Sequence, residues 1–290
     1  MTWQLAILIH QILETIFALV YRDYAKKHPK DHFVTNAVMY LATVVPFGIV
    51  WSITQGGFSL DFPVSIWWFF GLAGLLFALG NIAAFKANTK VEASQFAIIT
   101  RFRVVIVVAA SWLLLNETLT PTQILGAFII FSSSLFAVWL TRQKKRKNSK
   151  IGIHALIAVL SAVFMGLAIV NEKYILDSVT LATYVVIGWG LQAFFMALLA
   201  NRQLARVPKL VKDGSIKTIL LLGGLRTVAG FCFINALQLS DNASLIGSIA
   251  ALQVILVVIG GYVFLNEKKY GVQKFVAASA AFVGVILLVN

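Results

Sequence analysis

Ten long apolar runs fill most of this 290-residue chain and leave only short polar connections between them. Each run has roughly the 20 residues that an α-helix needs to cross a bilayer. Because a segment in lipid must satisfy its own backbone hydrogen bonds, and no strict apolar–polar alternation occurs, helices are expected rather than a barrel. The prediction is an all-α polytopic membrane protein with ten transmembrane helices, spans 1–10, near residues 4–21, 33–53, 65–85, 93–115, 121–140, 151–171, 180–200, 217–237, 243–265 and 271–289.

The composition excludes the soluble classes of protein. Hydrophobic residues make up 60% of the chain and charged residues 12%, and the mean hydropathy is +0.88. A soluble domain has about a quarter charged residues. The single cysteine, Cys232, leaves no disulfide framework or thiol metal site within one chain. The first run lacks a basic leading segment and a small-residue cleavage site, so it is expected to be a retained span rather than a removed signal peptide.

The net charge of +13 is concentrated on one side of the predicted membrane. Of the 24 Lys and Arg residues, 20 lie in or beside connections 1–2, 3–4, 5–6, 7–8 and 9–10, whereas the other four connections hold one. Because cytoplasmic loops carry an excess of Lys and Arg, these odd-numbered connections are expected inside and both termini outside. The basic run at 142–150 is then a cytoplasmic linker, and no nucleic-acid partner is expected. The predicted location is the plasma membrane of a bacterium or archaeon.

The chain repeats itself at an offset of 150 residues. The stretch from Ala93 to Glu117 matches the stretch from Ala243 to Glu267, because both begin with Ala-Ser and end with Leu-Asn-Glu. Residues 1–141 and 151–290 are therefore predicted to be two copies of a five-span unit, joined by the linker at 142–150. Since five is odd, the second copy is inverted in the membrane. Inverted repeats that meet near the midplane are a recurrent plan of secondary transporters.

These residues resemble a known family. The pattern LLLNETLTPTQILGAFII (113–130), preceded by AS at 93–94, and its second copy ending FLNEKKYGVQKFVAASAAFVGVILL (264–288) are similar to the EamA family of the drug/metabolite transporter superfamily. The resemblance implies two tandem EamA units, ten helices around a central cavity, alternating access, and export or import of small metabolites. Family members often carry a proline midway along spans 4 and 9. This chain has Val104 and Val254 there, so no proline kink is expected.

Relatives of this kind with ten spans are usually drawn with both termini inside. That orientation is opposite to the one that the Lys and Arg distribution of this chain predicts, which places both termini outside.

Several polar side chains fall at the level of the membrane centre. Charges within a bilayer cost roughly 2.5–3.5 kcal/mol each and face a cavity or a partner. At a helical rise of about 1.5 Å per residue, residues that lie equally far from the ends of their spans lie at the same depth in the membrane. Arg103 and Gln253 are also counterparts in the repeat, so they are expected on opposite sides of the pseudo-twofold axis. The predicted substrate-binding residues are Arg103, Arg226, Glu14, Gln253, Gln192 and Arg101.

Arg101 and Arg103 are expected to differ in role. Two residues on a continuous helix are separated by about 200° of rotation, so one cavity cannot receive both side chains directly. Arg103 is predicted to line the cavity. Arg101 is expected to extend toward the membrane interface or to bridge spans, although it stays a candidate binding residue. A salt bridge or helix-cap contact between spans is the alternative for both.

Glu14 has two possible roles. The stretch at residues 10–27, which begins within the first span, is similar to the first helix of small multidrug resistance transporters, which belong to the same superfamily and carry a membrane-embedded glutamate that binds protons and cationic drugs. That resemblance implies a proton-coupling Glu14. The repeat counterpart is Phe164, so only one copy carries the carboxylate. A nearby Arg103 or Arg226 would instead hold Glu14 in a fixed ion pair. His10, one turn earlier, is expected to pack or to tune Glu14.

The predicted function is secondary transport of a small organic metabolite by alternating access. The three arginines and one glutamate at this depth favour a solute that bears a carboxylate or phosphate. The specific prediction is export of amino acids or other carboxylate-bearing solutes. The alternative is a proton-coupled exporter of cationic drugs or metabolites that uses Glu14. No enzyme is predicted, because no catalytic or metal-binding motif occurs at depth.

The expected partners follow from this function. They are a small-molecule substrate, the lipid bilayer and protons as a candidate coupling ion. No cofactor or metal is expected, and a monomer and a homodimer both stay open. Glu117 and Glu267 are expected to stabilise the N-termini of the spans that follow them, spans 5 and 10.

Overall fold

The computed structural model describes the chain except residues 1, 116–119, 144–149, 240–248, 251 and 290. Within the described part, all regular structure is helical and no strand occurs. Most of the predicted linker at 142–150 lies outside the described residues. So do Glu117 and the predicted beginning of span 9, with Ala243 and Ser244.

The ten-span prediction is confirmed. Over the described residues, nine helices are long and apolar enough to cross a membrane, and a shorter apolar helix forms the described part of span 9. A short helix, Val207–Lys212, precedes span 8. Spans 1 to 10 are Trp3–Lys27, His32–Thr54, Ile66–Asn88, Ala93–Leu115 in two segments, Pro121–Gln143, Lys150–Leu176, Leu181–Leu204, Ser215–Leu239, Gln253–Phe264 and Gly271–Val289.

Several helices run past the apolar runs from which they were predicted. Span 1 continues from residue 21 to Lys27, and span 6 continues from residue 171 to Leu176. The added residues are largely polar or charged, and such side chains reach the headgroup region while the helical hydrogen bonds continue. Hydropathy therefore defined the apolar part of each helix but not the residues at which the helix ends.

Helix packing follows the twofold relation that the sequence repeat predicts. Spans 2 and 7, spans 4 and 9, and spans 5 and 10 pack as pairs of counterparts. Span 1 packs on span 8 and span 6 packs on span 3, which is the same contact with the two copies exchanged. Spans 5 and 10 approach so closely at Gly126 that a methyl group there would lie only 2.6 Å from the carbonyl oxygen of Gly284. Only a residue without a side chain permits this contact. The prediction of two inverted five-helix repeats is confirmed.

The carboxylate of Glu267 joins the two repeats. One oxygen accepts from the backbone amide of Ala93 at 2.8 Å, and the other accepts from the amide of Ser94 at 3.1 Å and from its hydroxyl at 2.6 Å. Glu267 therefore caps the N-terminus of span 4, in the other repeat, rather than the N-terminus of span 10 as the sequence suggested. A carboxylate there satisfies free amides and opposes the positive end of the helix dipole.

Further charged and polar side chains surround this cap. The Arg22 guanidinium lies 3.9 Å from the Glu267 carboxylate and donates to the Asn88 carbonyl oxygen. Lys274, only 1% exposed, donates to Glu92 at 2.5 Å and to the Glu267 carbonyl oxygen at 2.9 Å. We call the end of the molecule formed by the odd-numbered connections the basic end. The basic-end clamp comprises Arg22, Asn88, Glu92, Ser94, Glu267 and Lys274, all buried.

Replacing Glu267 by glutamine should lower the thermal stability of the purified protein markedly. An amide can accept one of the hydrogen bonds but places a donor against the others, and it removes the charge that faces Arg22. We expect a loss of about 3 kcal/mol, seen as a lower unfolding temperature in detergent.

The matched control is Lys27→Gln. It breaks the ion pair in which Lys27 Nζ lies 2.6 Å from Asp23 Oδ2. The Lys27 side chain is 65% exposed and the Asp23 side chain is 44% exposed. Exposed pairs contribute about 0–1 kcal/mol, so this variant should unfold near the wild-type temperature. Equal shifts for the two variants would show that Glu267 does not hold the repeats together.

Candidate solute-binding site

Span 4 is broken at mid-depth without a proline. Its two helices, Ala93–Thr100 and Phe102–Leu115, are separated by Arg101, whose backbone amide donates to the Ile98 carbonyl oxygen three residues back at 3.1 Å. The Thr100 hydroxyl donates to the carbonyl oxygens of Phe96 at 2.9 Å and Ala97 at 3.2 Å. A threonine that bonds back to the preceding turn often bends a helix, and Thr100 does so at the residue before the interruption.

Span 9 changes its hydrogen bonding at the corresponding level. The backbone amide of Leu252 donates to the Ile249 carbonyl oxygen at 3.0 Å, and a regular helix begins at Gln253. The repeat counterpart of Arg101 is residue 251, which the structure does not describe. Interrupted spans at the midplane, one from each repeat, are where transporters of inverted-repeat design bind their solutes.

Span 2 carries a π-helical segment, Tyr40–Val44, beside the same region. The Val45 amide donates to the Tyr40 carbonyl oxygen, and Pro46 follows without an amide to donate. The Tyr40 side chain interacts with Arg226 of span 8. π-helical segments recur at functional sites. Sequence analysis missed this feature, and Pro46 was the signal that could have found it.

Glu14 of span 1 and Arg226 of span 8 form an ion pair. Nη1 of Arg226 lies 2.9 Å and 3.1 Å from the two carboxylate oxygens of Glu14. The guanidinium carbon also lies 5.5 Å from the ring centroid of Phe17. The Arg226 side chain is 34% exposed and that of Glu14 is 11% exposed. Since an arginine exposed to lipid at this depth is costly, the open side of Arg226 is expected to face an aqueous space.

His10 lies one turn before Glu14 and is held by span 8. Its Nδ1 is 2.9 Å from the Ala229 carbonyl oxygen, and its ring centroid is 5.0 Å from that of Phe233. It also interacts electrostatically with Glu14, Arg226 and Arg103. His10 therefore packs against span 8 and adjoins the ion pair at the same time.

Arg101 contacts Gln253, the residue that the repeat relates to Arg103. Its Nη2 donates to Gln253 Oε1 of span 9 at 2.8 Å, while the side chain is 8% exposed and Nε has no partner. Arg101 thus bridges spans 4 and 9 rather than reaching the membrane interface. Arg103 is partly buried and interacts electrostatically with Arg226 and Glu14. The backbone at Arg101 keeps helical dihedral angles, with φ −62° and ψ −21°, and both arginines interact electrostatically with Glu14 of the ion pair.

These five side chains form what we call the central cluster: Glu14, Arg101, Arg103, Arg226 and Gln253. They come from spans 1, 4, 8 and 9, so both repeats contribute. A family model described as the EamA-like transporter family matches residues 1–139 and residues 152–290. The chain belongs to the EamA-like transporter family. The search of curated proteins finds no match for the sequence.

The two family matches in this EamA-like transporter correspond to the two copies of the sequence repeat, and the central cluster lies where the copies meet. The protein is accordingly a membrane transporter whose polar groups at depth are arranged between its two units. This location agrees with the midplane sites of inverted-repeat transporters.

Gln192 has a different environment from the other predicted residues. It is buried in span 7, and a methyl group on Gly74 of span 3 would lie 3.2 Å from its backbone nitrogen. The structure thus places Gln192 in the packing between spans 3 and 7. Gln11, which sequence analysis missed, instead bonds across the repeats, because its Nε2 donates to the Ile249 carbonyl oxygen. Its position three residues before Glu14, on the same helix face, was the available signal.

The stability of the Glu14–Arg226 pair can be measured by a double-mutant cycle. Glu14→Gln and Arg226→Gln each leave one charge without its partner, and each should destabilise the protein by about 2 kcal/mol in thermal unfolding. The double variant should be less unstable than the two single effects combined. Strictly additive effects would contradict a direct pair.

Proposed function

We propose that this EamA-like transporter is a secondary transporter that moves a small organic solute with a carboxylate or phosphate group by alternating access. The observation that carries the proposal is the central cluster, in which three arginines and one glutamate meet between the repeats at mid-depth. Arginine binds carboxylates and phosphates with two parallel hydrogen bonds. An excess of positive charge there favours an anionic solute group, and amino acids and other organic acids carry such a group.

The proposal also includes the direction of transport and the orientation of the protein in its membrane. The basic end is cytoplasmic, both termini are outside, and the protein exports its solute through the plasma membrane of a bacterium or archaeon. The excess of Lys and Arg at the basic end supports this orientation. The two repeats, residues 1–141 and 151–290, are the units that rearrange between the inward-open and outward-open states.

Transport by purified protein in liposomes tests the proposal directly. Arg103→Gln should lower the flux of carboxylate-bearing solutes at least tenfold, because it removes a charge-assisted contact to the solute. Arg202→Gln is the control, since Arg202 is exposed at the basic end and the variant removes the same charge. Wild-type flux of every anionic solute through Arg103→Gln would contradict the proposal.

The second candidate function is proton-coupled export of cationic drugs or metabolites through Glu14. A carboxylate at membrane depth supports it. The contact of Arg226 with both oxygens of Glu14 weighs against it, because those oxygens are already paired and are not free to bind a cationic solute.

Flux of a lipophilic cation driven by a proton gradient separates the two functions. The leading proposal expects no such flux from the wild type or from Glu14→Gln. Proton-driven cation efflux by the wild type that is lost in Glu14→Gln would establish the second function instead.

A further inference from the structure

We infer that the central cluster selects a solute with two negative charges, a dicarboxylate or a phosphate monoester, over a monocarboxylate and over a zwitterionic amino acid. This inference rests on the proposed function, because it specifies the solute of the same site. It follows from the charges that the cluster leaves without a counter-charge.

The Glu14–Arg226 pair is neutral as a unit. Nη1 of Arg226 reaches both oxygens of the carboxylate, at 2.9 Å and 3.1 Å. The pair therefore uses the single negative charge of the cluster. Arg101 and Arg103 are left with one positive charge each.

Neither remaining arginine has a carboxylate partner within the described ranges of the chain. The acceptor for Arg101 is the Gln253 amide oxygen, which is neutral, and its Nε is buried without any acceptor. The ion pairs of the described residues join other side chains and do not include Arg101 or Arg103. A buried guanidinium without a counter-charge is strongly unfavourable, so the site is built to receive anionic groups.

The two guanidiniums also act on each other. Arg101 is 8% exposed and interacts electrostatically with Arg103. Like charges that interact in a site of low polarity repel, and a bound anion relieves that repulsion. One negative charge leaves a net positive charge in the site, whereas two negative charges cancel it.

A zwitterionic amino acid fits this arrangement poorly. Its ammonium group would need a free carboxylate, but both oxygens of Glu14 are engaged by Arg226. The carboxylates Glu92 and Glu267 belong to the basic-end clamp, where Lys274 and Arg22 accompany them. The ammonium would therefore lie near two arginines without compensation.

The test compares four probes on the full-length protein. Succinate carries two carboxylates, glycerol 3-phosphate a phosphate monoester, butyrate one carboxylate, and alanine is a zwitterion. Binding is measured as thermal stabilisation in detergent, and transport as uptake into proteoliposomes. For the wild type, succinate or glycerol 3-phosphate should act at concentrations at least about tenfold lower than butyrate and alanine. The contrast between those two probes identifies the preferred dianion.

Gln253→Glu is the decisive variant. It has nearly the shape of the wild-type side chain and places a carboxylate where the amide oxygen lies, 2.8 Å from Arg101 Nη2. It lowers the excess charge of the cluster from two to one. Affinity for the dianion should fall at least tenfold while affinity for butyrate rises, a gain that a purely structural effect would not produce.

The matched control is Gln55→Glu, which makes the same substitution at an exposed position outside the spans. It should leave the order of the four probes unchanged. Arg101→Gln removes one charge by a different route and provides the test if Gln253→Glu does not fold. It too should bring the affinities for succinate and butyrate together.

Two results would overturn the inference. One is a wild-type protein that binds butyrate or alanine as tightly as both dianions. The other is a uniform loss of affinity for all four probes in Gln253→Glu and Arg101→Gln. If butyrate is transported but dianions are not preferred, the proposed function stands and this inference fails. If no probe of any class binds or moves, both fail.

Discussion

The contact between the Glu267 carboxylate and the N-terminus of span 4 determines the geometry on which the central cluster depends. Glu267 follows span 9 and caps span 4 of the other repeat at Ala93 and Ser94. Arg101 lies seven residues beyond Ser94, at the break, and reaches Gln253 at the beginning of the span 9 helix. The two interrupted spans are therefore joined at their basic ends and again at mid-depth. A shift of either helix along its axis would have to break both contacts.

The fold contains two groups of buried charges, and they differ in balance. The basic-end clamp holds two cations, Arg22 and Lys274, with two anions, Glu92 and Glu267. The central cluster holds three arginines and one glutamate. Balanced buried charges with their hydrogen bonds satisfied hold helices together, whereas unbalanced ones are unfavourable unless a ligand completes them. A departure from the rule that buried charges are paired is expected at a functional site, and here it occurs where the two EamA-like units meet.

The sequence was sufficient for the features that depend on hydropathy and on the repeat. The ten spans followed from the hydropathy and the two units from the repeat, and Glu14 and Arg226 meet between spans 1 and 8. The interruption at Arg101 did not follow from either, because no proline or glycine between residues 93 and 115 marks it in the sequence. Counting residues also gave the position of Gln192 along span 7, but it did not give the residues that pack around it. The partner of Glu267 lies 173 residues away in sequence, and only the pairing of spans 4 and 9 brings the two together.

The repeat makes the two ends of the molecule comparable, and their sequences are not equivalent. The counterparts of Arg22, Glu92 and Lys274 are Glu172, Asn242 and Ile124, so the charge network of the basic-end clamp has no equivalent set of residues at the opposite end. If the two copies were identical, closing either end would have the same free energy. Under the proposed alternating access, the added ion pairs would favour closure at the basic end, and opening that end would require separating Glu267 from span 4 and Lys274 from Glu92. Because both contacts are buried, their separation is favourable only when another interaction compensates for it. Under the proposed alternating access, an anionic group at Arg101 and Arg103 would act on span 4, the helix whose N-terminus the clamp holds.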